Sequence, residues 1–209
     1  TLVPALAETA AHVTMVQRSP GYISSLPAED RLADRLRRVL GAERAHALIR
    51  RRNIAISTAI YRMSRRYPGA MRRFLQSGVR RALPSGFDVE THFTPRYAPW
   101  DQRLCLVPDG DLFAALRQRH ASIVTGEVDR FVEGGVRLRT GETIPADIIV
   151  TATGLELLCF GGIAFEIDGE PMDPAAQVAF RSVLLSDVPN FAFVIGYTNA
   201  SWTLKVDLV

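Results

Sequence analysis

Between Arg44 and Phe87 the chain carries eleven arginines and neither an aspartate nor a glutamate, and this block restricts its fold more than any other feature. Guanidinium groups stay ionised and keep to water, so the block must turn them outward. Arg50, Arg51, Arg52, Arg62, Arg65, Arg66, Arg72, Arg73, Arg80 and Arg81 are interleaved with Ile54, Ile56, Ile60, Tyr61, Met63, Phe74 and Leu75. That spacing suits helices with one apolar and one basic face. A helical stretch is predicted over residues 28–82, begun at Asp30 before Leu32, Leu36, Val39 and Leu40 and interrupted at Gly41. Pro68-Gly69 and Pro84-Ser85-Gly86 supply further breaks. The basic faces fit three uses: a solvated surface, contact with a membrane surface or partner, or nucleic acid. No aromatic interleaving or nucleic-acid motif accompanies them, so no nucleic acid is expected, while peripheral membrane contact through the helices of 44–81 stays open.

Around this block the pattern alternates between helix and strand, which indicates an α/β fold. Residues 1–11 read as a helix and His12-Val13-Thr14-Met15-Val16-Gln17 as a short strand, closed by a turn at Ser19-Pro20-Gly21. Residues 87–103, with Pro95, Tyr97, Pro99 and Trp100, have no clear period and read as a folded loop that places side chains for a site. Leu104 to Val107 is a predicted strand, Asp111 to His120 a helix after the Asp109-Gly110 turn, and Ser122 to Thr125 another strand. Val128 to Val132 and Val136 to Leu138, joined by Glu133-Gly134-Gly135, read as a hairpin. Glu142 to Pro145 then leads into a last core strand, Asp147-Ile148-Ile149-Val150-Thr151-Ala152. A domain boundary is expected near Ala146.

At 209 residues, 47% hydrophobic and 22% charged, the chain can bury a core. Its longest apolar stretch, 146–165, is interrupted by Asp147 and Glu156 and by Gly154, Gly161 and Gly162, which argues against a membrane span. Cys105 and Cys159 both lie among apolar neighbours and read as buried free thiols, which favours a reducing, cytoplasmic setting. The chain opens on Thr1 and runs directly into helix-like sequence with no basic leader. A piece of a longer protein is expected.

Four stretches carry chemistry. Ala146 to Gly154 ends a strand on Thr153 and Gly154, small residues that let backbone approach something flat or anionic. Val13 to Gln17 is followed by Arg18 and Ser19, where sheets that bind NAD carry an acid; an arginine fork suits the 2'-phosphate of NADP instead. Pro99-Trp100-Asp101-Gln102-Arg103 precedes the strand Leu104-Cys105-Leu106-Val107. Finally, Pro189 to Leu204 contains Gly196, Thr198, Asn199, Ser201 and Trp202 after an apolar run. Each has a plainer reading: a strand-to-loop turn, a surface arginine, an ion pair of Arg103 with Asp101 or a neighbouring acid, and an apolar strand with its turn.

Taken together, in this order and at these separations, the four stretches resemble the flavin-containing and Baeyer-Villiger monooxygenases, particularly the thioamide-oxidising, ethionamide-activating subgroup. The resemblance covers essentially the whole chain. It implies an α/β, Rossmann-like flavoprotein with two dinucleotide-binding domains, here incomplete, and with a helical insertion over about 28–82. Residues 1–145 match part of the NADPH-binding domain and 146–209 the C-terminal part of the FAD-binding domain. The cofactors implied are FAD and NADPH. The partners implied are dioxygen and a small-molecule substrate, a ketone, sulfide or thioamide, oxygenated through a flavin peroxide. Arg103 matches the family's catalytic arginine over the flavin; Arg18 and Ser19 fall on the NADPH side, and Gln102 is a further cofactor-binding position. Thr153, Gly154, Gly196, Thr198, Asn199, Ser201 and Trp202 fall on the flavin side.

The pattern fails at two points. No Gly-x-Gly occurs anywhere, although each dinucleotide loop needs one, and the fingerprint Phe-x-Gly-x-x-x-His-x-x-x-Trp is absent. The chain is therefore expected not to hold FAD or turn over unaided, being either a broken product or one half of an enzyme completed by another chain. The missing fingerprint keeps a flavin-containing N- or S-monooxygenase without Baeyer-Villiger activity as the alternative. A basic module binding nucleic acid or a membrane surface is the alternative of another class. Hydrolase and metal chemistry are disfavoured, because no Gly-x-Ser-x-Gly or Gly-Lys-Ser/Thr loop is present and His12, His46, His92 and His120 are scattered.

Overall fold

The computed structural model describes residues 2–102, 104–154, 156, 158–181 and 183–194. The chain divides into two compact units, Thr1–Asp147 and Ile148–Val209, and is a mixture of helix and strand.

The first unit opens with α1 (Leu2–Ala7), shorter than the predicted run because it closes in a turn at Glu8 and Thr9, and continues into β1 (Val13–Gln17). A strand absent from the sequence reading follows, β2 (Tyr22–Leu26). The predicted helical stretch resolves into α2 (Arg31–Leu40), α3 (Ala42–Arg66) and α4 (Pro68–Ala82). Asp30 caps α2 by accepting from Ala33 N–H, and Pro68 opens α4 at a position where its missing N–H costs nothing. The stretch 87–103, read as loop, contains one helical turn, α5 (Val89–Phe93), capped by Asp88. Next come β3 (Leu104–Pro108), α6 (Asp111–Arg117) and β4 (Ala121–Thr125).

Two parallel pairs are part of the sheet structure of this unit: β1 with β4, registered Val13 on Ala121, and β2 with β3, registered Tyr22 on Leu104. Parallel neighbours need a crossover, and β2 reaches β3 through α2 to α5. The core gathers Ala7, Val79, Leu83, Val89, Phe93, Val107, Leu112, Phe113, Leu116 and Ile123, so that apolar faces of α1, α4, α5, α6, β3 and β4 meet there. Phe93 is 2% exposed and its ring lies 5.9 Å from those of Phe87 and Phe113. A separate cluster, Ala33, Ala45 and Ile49 with Leu36 against it, joins α2 to α3.

The predicted hairpin is present as β5 (Val128–Val132) and β6 (Gly135–Leu138), with β7 (Thr143–Pro145) adding a third antiparallel strand. Gly134 takes φ +78°, and a Cβ on Gly135 would fall 2.1 Å from the carbonyl oxygen of Ile144. Only glycine fits there.

Two expectations are corrected. Residues 147–152 carry no strand: Ile148 is 84% exposed and Val150 56%. A strand exists only where a neighbour takes up its N–H and C=O groups, and among the described residues none lies along this stretch. Cys105 is a free thiol as expected, but exposed rather than buried: among the described residues β3 pairs only with β2, and Cys105 and Leu106, on opposite faces of β3, are both left uncovered. The second unit holds two small antiparallel pairs, β8 (Phe165–Ile167) with β9 (Glu170–Met172) and β10 (Ala179–Phe180) with β11 (Leu184–Leu185). Phe160, Phe165, Phe191 and Phe193 pack edge to face beside them.

Phe93→Ala is expected to lower the unfolding free energy by about 3–5 kcal/mol, read by urea denaturation, since it empties the middle of the larger core. Asp30 also pairs with Arg52 of α3, and that bond, followed by the Ala33 N–H, holds its carboxyl below the ordinary 3.8. A lowered folded-state value means the contribution is complete above pH 3.8 and is lost as pH falls through the lower value. Helix content monitored on acidification is therefore expected to fall in that range, and to fall less steeply in Asp30→Asn.

Candidate functional site

β1 ends at Gln17 and β2 begins at Tyr22, so the link between them is only Arg18, Ser19, Pro20 and Gly21. Because β2 and β3 run parallel with Tyr22 opposite Leu104, the residues before each strand arrive from the same end. The link 18–21 and the stretch ending at Gln102 therefore meet at one edge of the β2–β3 pair. Pro99 and Gln102 form an isolated bridge there, with Pro99 fully buried and Gln102 exposed. Arg18 and Ser19 are exposed too. Among the described residues, none of these three side chains has a hydrogen bond or ion pair. The sequence-predicted residues Arg18, Ser19 and Gln102 are thus brought to a common edge with their polar groups uncommitted.

The arginine-rich helices build the wall of this edge. Arg72 of α4 donates from Nε to the Tyr22 hydroxyl at 3.0 Å and from Nη2 to the Tyr97 carbonyl at 3.1 Å. The Tyr22 hydroxyl in turn donates to that carbonyl at 2.9 Å. The two rings meet edge to face at 5.5 Å. Tyr97 turns its hydroxyl toward Gly21, where a Cβ would lie 3.5 Å from the oxygen. Burial pushes the Tyr97 phenol above its ordinary 10.0. Gln76 donates to Thr94 Oγ1 at 3.0 Å, and Tyr61 packs against Trp100, whose φ is +73°. Arg65 donates to Asp101 at 2.5 Å, and this bond, then the Ala98 N–H, holds the Asp101 carboxyl below the usual carboxylate range.

At the other face of the link, a polar cluster fastens the C-terminal ends of β1 and β4. Gln17 Nε2 donates to the His92 carbonyl at 2.8 Å and to Thr125 Oγ1 at 2.9 Å, and Thr125 Oγ1 bonds His92 Nδ1 at 2.8 Å. Neither this cluster nor Arg72, Tyr22 and Tyr97 was singled out as functional from sequence. Their partners lie dozens of residues away, beyond any local spacing, and a block of arginines on helices hides the one that turns inward.

In the second unit Thr153 and Gly154 are exposed, Gly154 has φ +108°, and nothing lies within 4 Å of where its Cβ would be. That bare backbone admits close approach by a planar or anionic group. Arg103, Gly196, Thr198, Asn199, Ser201 and Trp202 lie outside the described residues. Among the described residues, no group of His, Cys, Asp and Glu is placed to hold a metal ion, and no helix is long and apolar enough to cross a membrane.

No family model matches the chain, and no solved structure matches it. Curated proteins do match, and the following three do so along the entire chain. The FAD-containing monooxygenase EthA of Mycobacterium tuberculosis is 50% identical over 210 residues, which are 43% of its own length. EthA of Mycolicibacterium smegmatis is 49% identical over 210 residues, again 43% of its length. The probable FAD-binding monooxygenase AlmA of Acinetobacter baylyi is 49% identical over 209 residues, 42% of its length. The chain thus spans less than half the length of these relatives, and it is homologous from end to end to one stretch of the FAD-containing monooxygenases.

Proposed function

We propose that the chain is part of an FAD-dependent, NADPH-using monooxygenase that transfers oxygen from dioxygen to a small-molecule substrate, a ketone, sulfide or thioamide. In this reading residues 1–145 form part of an NADPH-binding Rossmann-like domain with a helical insertion, and 146–209 the C-terminal part of an FAD-binding domain. The observation that carries it is identity near 50% along the whole chain to proteins named as FAD-containing monooxygenases. A reducing, cytoplasmic setting belongs to the same reading and is supported by the free, exposed thiol of Cys105.

The residues present fit the groups this reading requires. Arg18, exposed at the end of β1 and uncommitted, offers a planar pair of N–H donors to a 2'-phosphate, with the Ser19 hydroxyl beside it. Gln102, at the same edge, adds a neutral donor and acceptor. Thr153 and Gly154 leave backbone open to a flavin. When bound, FAD supplies the redox chemistry, passing two electrons from NADPH to dioxygen so that one oxygen atom enters the substrate and the other leaves as water. Arg103 carries the catalytic assignment: a permanent cation beside the reacting centre stabilises negative charge that a neutral side chain would not.

The chain alone is expected to take up no FAD, since neither glycine loop is present; joined to the part of EthA outside the matched stretch, it is expected to bind FAD and NADPH, followed by flavin absorbance, with Arg18→Ala weakening NADPH about tenfold or more and leaving NADH unchanged. Absence of flavin binding in the joined protein, or equal loss of both nicotinamide cofactors in its variant, argues against the reading.

A contact with an anionic membrane surface is supported by one further feature. On α3, Ile56, Ile60 and Met63 continue the apolar stripe begun by Ala45 and Ile49, but beyond the reach of α2 they are 50%, 40% and 55% exposed. Arg44, Arg51 and Arg62 are exposed together on the polar side of the same helix, so that one helix carries an open apolar stripe and a basic row. Each such arginine adds about 1 kcal/mol at an anionic surface. The chain is expected to cosediment with phosphatidylglycerol vesicles but not with phosphatidylcholine vesicles. Ile60→Asp combined with Met63→Asp is expected to abolish this without lowering the melting temperature.

A further inference from the structure

We propose that Tyr97 is an additional nucleotide-binding residue, whose hydroxyl donates a hydrogen bond to the anionic group held at the 18–21 link. The inference rests on the nucleotide reading above and adds to it a residue that no sequence motif marks.

The geometry begins with Gly21. Its backbone is bare on the side facing Tyr97, and the phenol oxygen sits 3.5 Å from the place a Cβ would occupy. The hydroxyl therefore reaches the same link that carries Arg18 and Ser19. The ring is fixed at both ends: its edge packs on Tyr22 at 89°, and its backbone carbonyl takes bonds from Arg72 Nη2 and the Tyr22 hydroxyl. A donor held in this way loses little freedom when a ligand arrives.

The two tyrosines of the cluster differ in what they have left to give. The Tyr22 hydroxyl accepts from Arg72 and donates to the Tyr97 carbonyl, so its proton is committed to the scaffold. The Tyr97 hydroxyl donates to no acceptor among the described residues, and the residue is only half-buried, so its proton is free to turn toward a ligand. Burial raises the phenol's ionisation, which keeps that proton in place throughout the neutral range. An exposed arginine, an exposed serine hydroxyl and a neutral phenol donor around a glycine-opened link together suit a phosphate, which accepts from all three.

The test is titration calorimetry of the full 209-residue chain with adenosine 2',5'-bisphosphate and with adenosine 5'-monophosphate. Tyr97→Phe removes one oxygen atom and keeps the ring packing on Tyr22. The variant is expected to bind the bisphosphate about tenfold more weakly, the cost of one hydrogen bond to a charged group, with monophosphate affinity and melting temperature unchanged. As a second readout, tyrosine-selective carbon NMR, with the Tyr97 resonance assigned by its loss in the variant, is expected to show the phenol ionising at still higher pH when the bisphosphate is bound. That shift follows because donating the proton to an anion favours the protonated form. A wild-type chain that does not prefer the bisphosphate overturns the nucleotide reading and this inference with it. A wild-type chain that does prefer it, with Tyr97→Phe retaining the full preference or the Tyr97 titration unmoved by ligand, overturns the role of Tyr97 alone. Equal loss of both ligands in the variant assigns Tyr97 to packing and likewise overturns the inference.

Discussion

The Arg72 guanidinium holds together three parts of the first unit. It projects from α4, takes the Tyr22 hydroxyl at the start of β2 and takes the Tyr97 carbonyl in the segment leading to β3. A charge placed inside a wall is stabilised only when its donors find acceptors, and here two of them converge on a single tyrosine pair. The consequence is a fixed distance between the beginnings of two parallel strands. Everything assigned to the candidate site, Arg18 and Ser19 before β2 and Gln102 before β3, takes its place from that distance.

The remaining arginines of the same helices do different work. Arg52, Arg65 and Arg80 each find a carboxylate outside the acid-free block, Asp30, Asp101 and Glu90. The block is thus tied at its beginning, middle and end to acids that flank it in sequence. These pairs are mostly exposed, so each adds little to stability; their value lies in orientation, since they set which faces of α3 and α4 turn inward. Arg44, Arg51 and Arg62 remain exposed on α3, the helix that also exposes Ile56, Ile60 and Met63.

Much of this was legible from residues alone, where local chemistry decides. Asp30 as a cap, Gly41 and Pro68 as breaks, and the Gly134-Gly135 hairpin all follow from the conformational freedom or hydrogen-bonding reach of one residue. Where the deciding partner is distant, the reading failed. β2 was missed because Ser24 and Ser25 dilute its apolar content, and it is a strand only because β3 pairs with it. The opposite error occurred at Ile148-Ile149-Val150, whose composition is that of a buried strand but which lies in the open. The site shows the same division. Arg18, Ser19 and Gln102 were visible as residues after or before a strand, whereas their meeting depends on the parallel register, and the tyrosine pair on an arginine indistinguishable in sequence from ten others.

The link from Gln17 to Tyr22 is short enough that its length is itself structural information. Gln17 is pinned by Thr125 and the His92 carbonyl, and Tyr22 by Arg72, so both ends of the link are anchored to different partners. Four residues bridge those anchors with no slack to redistribute. Over evolutionary time this tolerates exchange of one side chain for another far better than gain or loss of a residue, because an insertion would rotate Arg18 and Ser19 away from Gln102 while leaving every named amino acid in place. The spacing between the two anchored ends, more than the identity of any residue within it, is what descendants of this sequence have to inherit.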